Sequence, residues 1–452
     1  MRVGAQMINI SINMPLGVHV ILNTLNQNGH EAYIVGGCVR DAILDKEPGD
    51  WDITTSALPM EVKKLFPKTY DTGIQHGTIT VLIEKEHYEV TTYRIDGTYE
   101  DNRRPKEVTF TSNIILDLQR RDFNMNAIAY HPKEGIIDPF DGIVDINNKI
   151  IRCVGDPKQR FDEDALRMLR AIRFSAKLNF PIDELTRNAI CEKAELIKNV
   201  SVERINQELT KLLLSDYPEK FTQLKDLNLM EYIIPEFEKC IGVDQIHPYH
   251  SYTVSEHIIK SVKSVESDPV LRWTMLLHDI GKPKCKTIDE DGITHFHGHV
   301  EEGMNIAYKV LKRMKFDNKT INDVVKLVEF HDYSLESDYV SIRQAVNKIS
   351  DRLFIKLLKV KEADIKAQNP DLMEERINEI NKIRKSYFDI KEKQQCTHLK
   401  GLKINGFDLK EIGINQGKLI GEILKCLLEQ VLVDPKLNNK QVLLELAKKN
   451  IN

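Results

Sequence analysis

The chain has 452 residues, too many for one ordinary hydrophobic core, so two to four domains are expected. Hydrophobic residues make up 41% and charged residues 29%, as in ordinary globular proteins, and no run is long and apolar enough to span a membrane. The net charge of −4 excludes a uniformly basic nucleic-acid binder, so any such surface must come from local segregation of charge. The seven cysteines are scattered, odd in number and form no C-x-x-C pair, which suits a reducing cytoplasm. The opening residues lack a basic segment followed by a continuous apolar stretch, so no signal peptide is expected; Met7 offers an alternative start.

Residues 15 to 30 read as a helix with Val18, Ile21, Leu22 and Leu25 on its apolar face and Gly29 at its end. Ala32 to Val35 reads as a short buried strand. Gly36 and Gly37 then turn into a helix carrying Arg40 and Asp41. The paired glycines let backbone N–H groups approach a phosphate where the helix dipole favours an anion. A second strand follows, with Asp50 and Asp52 side by side on one face and Trp51 and Ile53 pointing into a core. Two carboxylates that close repel each other unless a cation lies between them. A hard divalent cation, magnesium above all, suits two aspartates plus phosphate oxygens. Together these parts describe a nucleotidyl-transfer site.

Residues 78 to 84 and 88 to 94 alternate as the two strands of a hairpin, so residues 31 to about 150 form a small α/β domain with a mixed sheet. Residues 96 to 106, DGTYEDNRRPK, are polar and rich in turn formers and read as a loop. Arg120 to Asn126, RRDFNMN, places arginines, an aspartate and amides beside a core segment, where each needs a partner. Arg121 suits a triphosphate, because a guanidinium fork fits phosphate oxygens; a structural Arg–Asp pair is the alternative. Residues 160 to 180 read as one helix, with Asp164 and Arg167 neighbours on its surface and a basic stripe through Arg170 and Arg173. Ser201 is the expected N-cap of a helix over 202 to 214.

The order of strand, GG, helix with Arg-Asp, and D-x-D resembles the nucleotidyltransferase superfamily of tRNA CCA-adding enzymes and bacterial poly(A) polymerases. The match falls on Gly36, Gly37, Arg40, Asp41, Leu44, Asp50 and Asp52. It continues through RRDF-x-x-NA, at Arg120, Arg121, Asp122, Phe123, Asn126 and Ala127, and through EDxxR, at Glu163, Asp164 and Arg167. The resemblance implies Glu89 as a third acid, although an exposed strand glutamate is an equal reading. It implies a flexible loop with Arg103 and Arg104 near the site, and Asn126 as a ribose or backbone anchor. It also makes Asp164 and Arg167 the base reader and places Arg40, Arg170 and Arg173 at the nucleotide. Cytosine and adenine both pair an exocyclic amine donor with a ring-nitrogen acceptor. An aspartate accepts from the first and an arginine donates to the second. Guanine and uracil reverse that order, and each buried group left unpaired costs about 1–3 kcal/mol. Arg204 and Glu208 match the last family motif and are expected to be structural.

Residues 247 to 365 hold more than half of the 14 histidines. HDIGK, with flanking helices, resembles the HD phosphohydrolase superfamily. It implies a metal held by His257, His278, Asp279, His299, His331 and Asp364. His250 competes with His257, and His295 and His297 with His299. Mixed imidazole and carboxylate ligation suits a transition metal, and metal-activated water would attack a phosphate ester. A helical body that makes little use of its metal is an equal reading. From 371 onward the chain is helical, and Gly413 to Gly421 could offer backbone N–H groups to an RNA phosphate. The family tail holds the outer arm of tRNA.

The expected fold is α+β: a polymerase-beta-like nucleotidyltransferase head with a mixed sheet over 1–150, a helical neck over 151–245, an HD body over 246–370 and a helical tail over 371–452. The expected activity is template-independent addition of C, C and A to the tRNA 3′ end from CTP and ATP with Mg²⁺. Neither a membrane nor an obligate protein partner is expected. Addition of CC alone or A alone, a poly(A) polymerase, and an HD phosphohydrolase with an inert head remain alternatives. A tRNA-binding protein without catalysis is a further one, but it would not need Asp50 and Asp52 together.

Overall fold

The structure, a computed structural model, describes residues 11–97, 99–100, 104–105, 108–246, 249 and 251–449. It divides into two compact units, 1–233 and 234–452. The first opens with α1 (Leu16–Gln27), which buries Val18, Ile21, Leu22 and Leu25 as their spacing predicts. There follow β1 (Ala32–Val35), α2 (Gly37–Ile43), β2 (Asp52–Thr55), α3 (Pro59–Leu65), β3 (Thr69–Gly73), β4 (Thr78–Ile83) and β5 (Glu86–Thr92).

Next come four short strands, β6 (Arg94–Asp96), β7 (Tyr99–Glu100), β8 (Arg104–Pro105) and β9 (Val108–Phe110), then α4 (Ile114–Gln119), β10 (Ala129–His131) and β11 (Gly135–Ile137). The sheet of this unit runs β11-β10-β1-β2-β5-β4-β3. It is mixed: β2 and β5 are parallel, and its other neighbours antiparallel. The four residues of β1 are all buried, as befits its place inside the sheet.

Three local expectations are corrected. Residues 96 to 106 are not simply a loop, because β6 pairs with β9 and β7 with β8. Polar composition hid the ladders, since a short arm has little core to bury. Arg103 lies outside the described residues, and Arg104 is described only as backbone.

Residues 160 to 180 form two helices, α6 (Pro157–Glu163) and α7 (Leu166–Leu178), preceded by α5 (Gly142–Asn147). The break falls at Asp164, whose backbone is extended (φ −144°, ψ 101°) and whose carboxylate accepts from the Leu166 N–H at 3.2 Å. A short acceptor side chain competes with the helix for its own backbone donors. After α8 (Glu184–Lys193) comes α9 (Val202–Leu213); Ser201 stands at its N-cap position but makes no side-chain capping bond.

The second unit is almost wholly helical. Its last part packs Leu402, Ile404, Leu409, Ile423, Leu427, Val431 and Leu443 into a separate small core. Among the described residues no helix is long and apolar enough to cross a membrane.

Candidate functional sites

The acids expected to be catalytic do not all lie on β2. The strand starts at Asp52, and Asp50 and Trp51 form its approach. Ile53 is buried as expected, while Trp51 is only half-buried. In the parallel pair, Asp52 stands opposite Glu89, so both side chains leave the same face of the sheet. Although the Asp52 carboxylate is open to solvent, protein packed around it dominates and raises its pKa; Arg121 pulls it down and Asp50 adds to the rise. Protein enclosure, then Asp52 and Asp50, likewise push Glu89 up. Three mutually repelling oxygen donors are the donor set of a hard cation.

Gly36 has φ +81°, which favours glycine, and a Cβ there would stand 2.9 Å from Arg121 Nη1. The guanidinium of Arg121 therefore lies against the GG turn. Burial pulls its pKa down, while Asp117 and Asp52 pull it up. Its Nε has no hydrogen-bond partner among the described residues.

The other cations expected at the nucleotide are engaged by protein. Arg40 is 3% exposed; it donates to Asp41 through Nε and Nη2 (2.8 and 2.6 Å) and to Asn126 Oδ1 through Nη1 (2.5 Å). Asn126 passes the contact to Asp122 at 3.0 Å. Arg170 donates twice to Asp122 (2.8 and 2.6 Å), and Arg173 pairs with Glu208 at 2.5 Å. Arg40, Arg170 and Arg173 all lie over the Phe174 ring. Burial would raise the pKa of Asp122, but Arg170 and Asn126 hold it down at about 2. Arg40, Asn126 and Arg173 thus build the wall of the site rather than line it openly.

Asp164 and Arg167 do not pair through their side chains. Arg204 grips both oxygens of Asp164 at 3.2 and 2.8 Å. Arg167 binds Glu163 at 2.6 Å and the carbonyls of Arg160 and Arg120 at 3.1 and 2.8 Å. The three-residue spacing suggested a pair only because an unbroken helix was assumed. Glu163, Arg204 and Glu208 are the partners that spacing did not reveal, although all three lie in the motifs.

In the second unit four imidazoles share one orientation. Nδ1 of His257, His278, His299 and His331 faces the carbonyl of Ala367, Met275, Phe296 and Val328 at 3.1, 2.7, 2.9 and 2.6 Å. A carbonyl only accepts, so Nδ1 carries a proton and Nε2 of the neutral ring is left as a ligand. The Nε2 atoms converge on two carboxylates. Asp279 Oδ2 lies 3.3 Å from His257 and 3.4 Å from His278; its Oδ1 lies 3.7 Å from His299 and 3.6 Å from His331. Asp364 Oδ1 is 2.9 Å from His257 and 3.5 Å from His278.

Two groups therefore share Asp279: His257, His278 and Asp279, and Asp279, His299 and His331. His295 instead bonds Asp289 at 2.7 Å and stacks on His297, so His299 is the member of the set. His250 lies outside the described residues. A Cβ on Gly281 would stand 2.3 Å from the His299 carbonyl, so this glycine lets the His299 helix close on HDIGK. Lys282, which reads in sequence as a helix stop, is buried and bonds Asp279 and Gln245, each at 2.7 Å. A cavity of about 360 Å³ opens on Asp279, Lys282, His299, His331 and Asp364.

A mixed sheet with acids at the start of one strand, a glycine turn and a helical continuation is the nucleotidyltransferase head of the polymerase-beta type. The Poly A polymerase head domain matches residues 32–152, the "Probable RNA and SrmB- binding site of polymerase A" matches 179–241, and tRNA nucleotidyltransferase domain 2 matches 289–447. A CCA-adding enzyme of Levilactobacillus brevis is 36% identical over 424 residues, 94% of this chain and 95% of that one. One from Lactobacillus helveticus is 49% identical over 229 residues, 50% of this chain and 57% of that one. The crystal structure of the Bacillus stearothermophilus CCA-adding enzyme in complex with CTP superposes with a TM-score of 0.70 at 27% identity, covering 97% of this chain and 98% of that one. The chain belongs to the CCA-adding enzymes, a family of tRNA nucleotidyltransferases.

The histidine cluster yields a prediction. Burial would lower the pKa of His257, but Asp279 and Asp364 hold it up at about 9. His257 therefore keeps its second ring proton at neutral pH, and any cation taken up by the cluster would have to displace it. Metal affinity should rise by up to ~10-fold per pH unit towards about 9, with proton release, and flatten above it. Isothermal titration in buffers of different ionisation enthalpy checks this; affinity independent of pH from 6.5 to 8.5 would refute it.

Proposed function

We propose that this chain adds C, C and A to the 3′ end of tRNA, using CTP and ATP and releasing pyrophosphate. The observation that carries this is the facing of Asp52 and Glu89 across parallel strands, with Asp50 beside them and Arg121 under the glycine turn. Asp50, Asp52 and Glu89 are oxygen donors that fit Mg²⁺. Bound there, Mg²⁺ would lower the pKa of the tRNA 3′-hydroxyl and stabilise the leaving pyrophosphate.

Arg121 and the N–H group of Gly37 bind the triphosphate, while the Gly36 N–H is spent on the Ile128 carbonyl at 3.0 Å. Asp164 accepts from the exocyclic amine of cytosine or adenine, and Arg167 donates to the ring nitrogen. Their clamps, Arg204 and Glu163, make this template stiff without nucleic acid. The finer division into head, neck, HD body and tail, with the tail on the outer arm of tRNA, belongs to the same proposal, as does a cytoplasmic location.

A second site is favoured by the histidine geometry. We infer that the second unit binds transition metal in two positions bridged by Asp279, with His257, His278 and Asp364 on one side and His299 and His331 on the other. Metal there would supply an activated water for hydrolysis of a phosphate ester.

Three outcomes are expected. With tRNA lacking CCA, CTP and ATP together should restore the full end, CTP alone should add two residues, and GTP and UTP none; Asp52→Asn should cut turnover at least ~100-fold while tRNA affinity is kept. Incorporation of only C or only A would reassign the chain to partial addition. Arg167→Ala should blur CTP/UTP discrimination by roughly tenfold or more, and undiminished discrimination would remove the template role. Asp279→Ala should strip bound metal and hydrolysis of p-nitrophenyl phosphate derivatives while CCA addition persists. Stoichiometric metal in that variant would refute the bridge.

A further inference from the structure

Asp117 is a fully buried carboxylate on α4 that no motif of the site includes. Its two oxygens do different things. Oδ1 accepts from Arg120 Nε and Nη2 at 2.9 and 2.8 Å and from the Arg94 backbone N–H at 3.3 Å, which ties α4 to β6. Oδ2 accepts from the Thr54 hydroxyl at 3.1 Å and faces Arg121 Nη2 at 3.7 Å. Thr54 is two residues beyond Asp52 on β2, so its side chain leaves the catalytic face. Oδ2 is thereby pinned from the strand that carries the acid.

Arg121 thus stands between two carboxylates, Asp117 and Asp52. They are not equivalent. Asp52 is open to solvent and belongs to the cation donor set, so a bound cation competes for its charge. Asp117 is sealed from solvent and cannot join that set, and its pull on Arg121 stays constant whether or not cations are present. Nη1 of Arg121 already rests against Gly36, and Nε has no partner among the described residues. A purely structural tie between α4 and β6 would need Oδ1 alone.

We propose that Asp117 is a positioning residue for nucleotide addition: it holds the Arg121 guanidinium against the Gly36 turn, aimed at the incoming triphosphate. This rests on Arg121 being a triphosphate ligand. Thr54, whose hydroxyl also faces the Thr91 carbonyl at 3.3 Å, is the peg for the Asp117 carboxylate and links the strand of the acids to α4, just ahead of the two arginines.

Steady-state addition by the full chain, on tRNA lacking its terminal CCA or A, tests this. Asp117→Asn should raise KM for both CTP and ATP about tenfold or more, with kcat much less affected and KM for tRNA unchanged, in enzyme shown to be folded at the assay temperature although its thermal midpoint falls. Thr54→Val should shift the same KM values in the same direction, by about threefold. Arg121→Ala should raise KM for CTP and ATP by itself, and adding Asp117→Asn to it should cost nothing further. An Arg121→Ala enzyme with unchanged nucleotide KM would show that Arg121 is no triphosphate ligand, and the role of Asp117 would fall with it. A raised KM in Arg121→Ala with an unchanged one in Asp117→Asn, or with fully additive effects, would overturn the Asp117 role alone. Equal losses for tRNA and nucleotide would mean a structural tie only. Should Asp117→Asn not fold, an unchanged nucleotide KM in Thr54→Val overturns the proposal.

Discussion

Like charge in close quarters is the constraint on which the head depends. The parallel pairing of β2 and β5 sets Asp52 opposite Glu89, and the approach to β2 brings Asp50 to both. Nothing in the backbone pairing of the two strands requires acids there, and Asp50 makes Asp52 harder to ionise, as both do for Glu89. Such an arrangement is tolerated only where a cation offsets the repulsion or a function demands the strain. Arg121 offsets part of it. Because that guanidinium also lies where only a glycine leaves room, the turn, the acids and the cation are one device: enlarging Gly36 would displace the charge that steadies Asp52.

The buried charged network of the first unit obeys a different constraint. Asp41, Arg40, Asn126, Asp122, Arg170, Glu208 and Arg173 form a chain of contacts around Phe174, mostly shielded from water. Buried ion pairs repay their desolvation poorly, and removing one partner typically costs about 3–5 kcal/mol because the other charge is left uncompensated. Apolar packing would have given the same stability with less risk. Charged groups held at two points give direction instead: Arg40 and Arg170 each set two N–H groups on one carboxylate oxygen, Oδ1 of Asp41 and Oδ2 of Asp122. The same logic holds at the base reader. Arg204 fixes both oxygens of Asp164, and Glu163 with two carbonyls fixes Arg167. Donors and acceptors clamped in this way are stiff without a further partner, which is what the proposed reading of bases requires.

Much of this was legible in the chain, and the failures have physical causes. The buried strand at 32–35 and the face of α1 were readable because burial imposes a period on the sequence. The convergence of His257, His278, Asp279, His299, His331 and Asp364 in the second unit was expected from the resemblance of HDIGK, and the structure does bring the six together. The partners of charged groups were not. Arg167 finds Glu163 four residues back, yet Asp164 finds Arg204 forty residues on, a pairing set by the packing of α7 on α9. The helix break at Asp164 was hidden because periodicity continues across it; only the capping bond to Leu166 reveals it. Asp117 was passed over since a lone aspartate before RRDF has no spacing partner, and its burial is a tertiary fact.

The two metal-type sites follow opposite designs, and the difference shows what each can exchange. In the head the donors are carboxylates open to solvent, which suits a hard cation that enters with a triphosphate and leaves with pyrophosphate. In the second unit three of the four imidazoles, and Asp279, are buried, and every ring is locked by its own backbone carbonyl. Backbone locking fixes the tautomer before any metal arrives, so binding costs little reorganisation. Without metal the same geometry forces Asp279 onto Lys282 and places His257 and His278 only 3.1 Å apart at Nε2, a contact two neutral acceptors could not share without a proton. A proton between the two rings, held up by Asp279 and Asp364, satisfies that contact, and it sits where the proposed cation would sit.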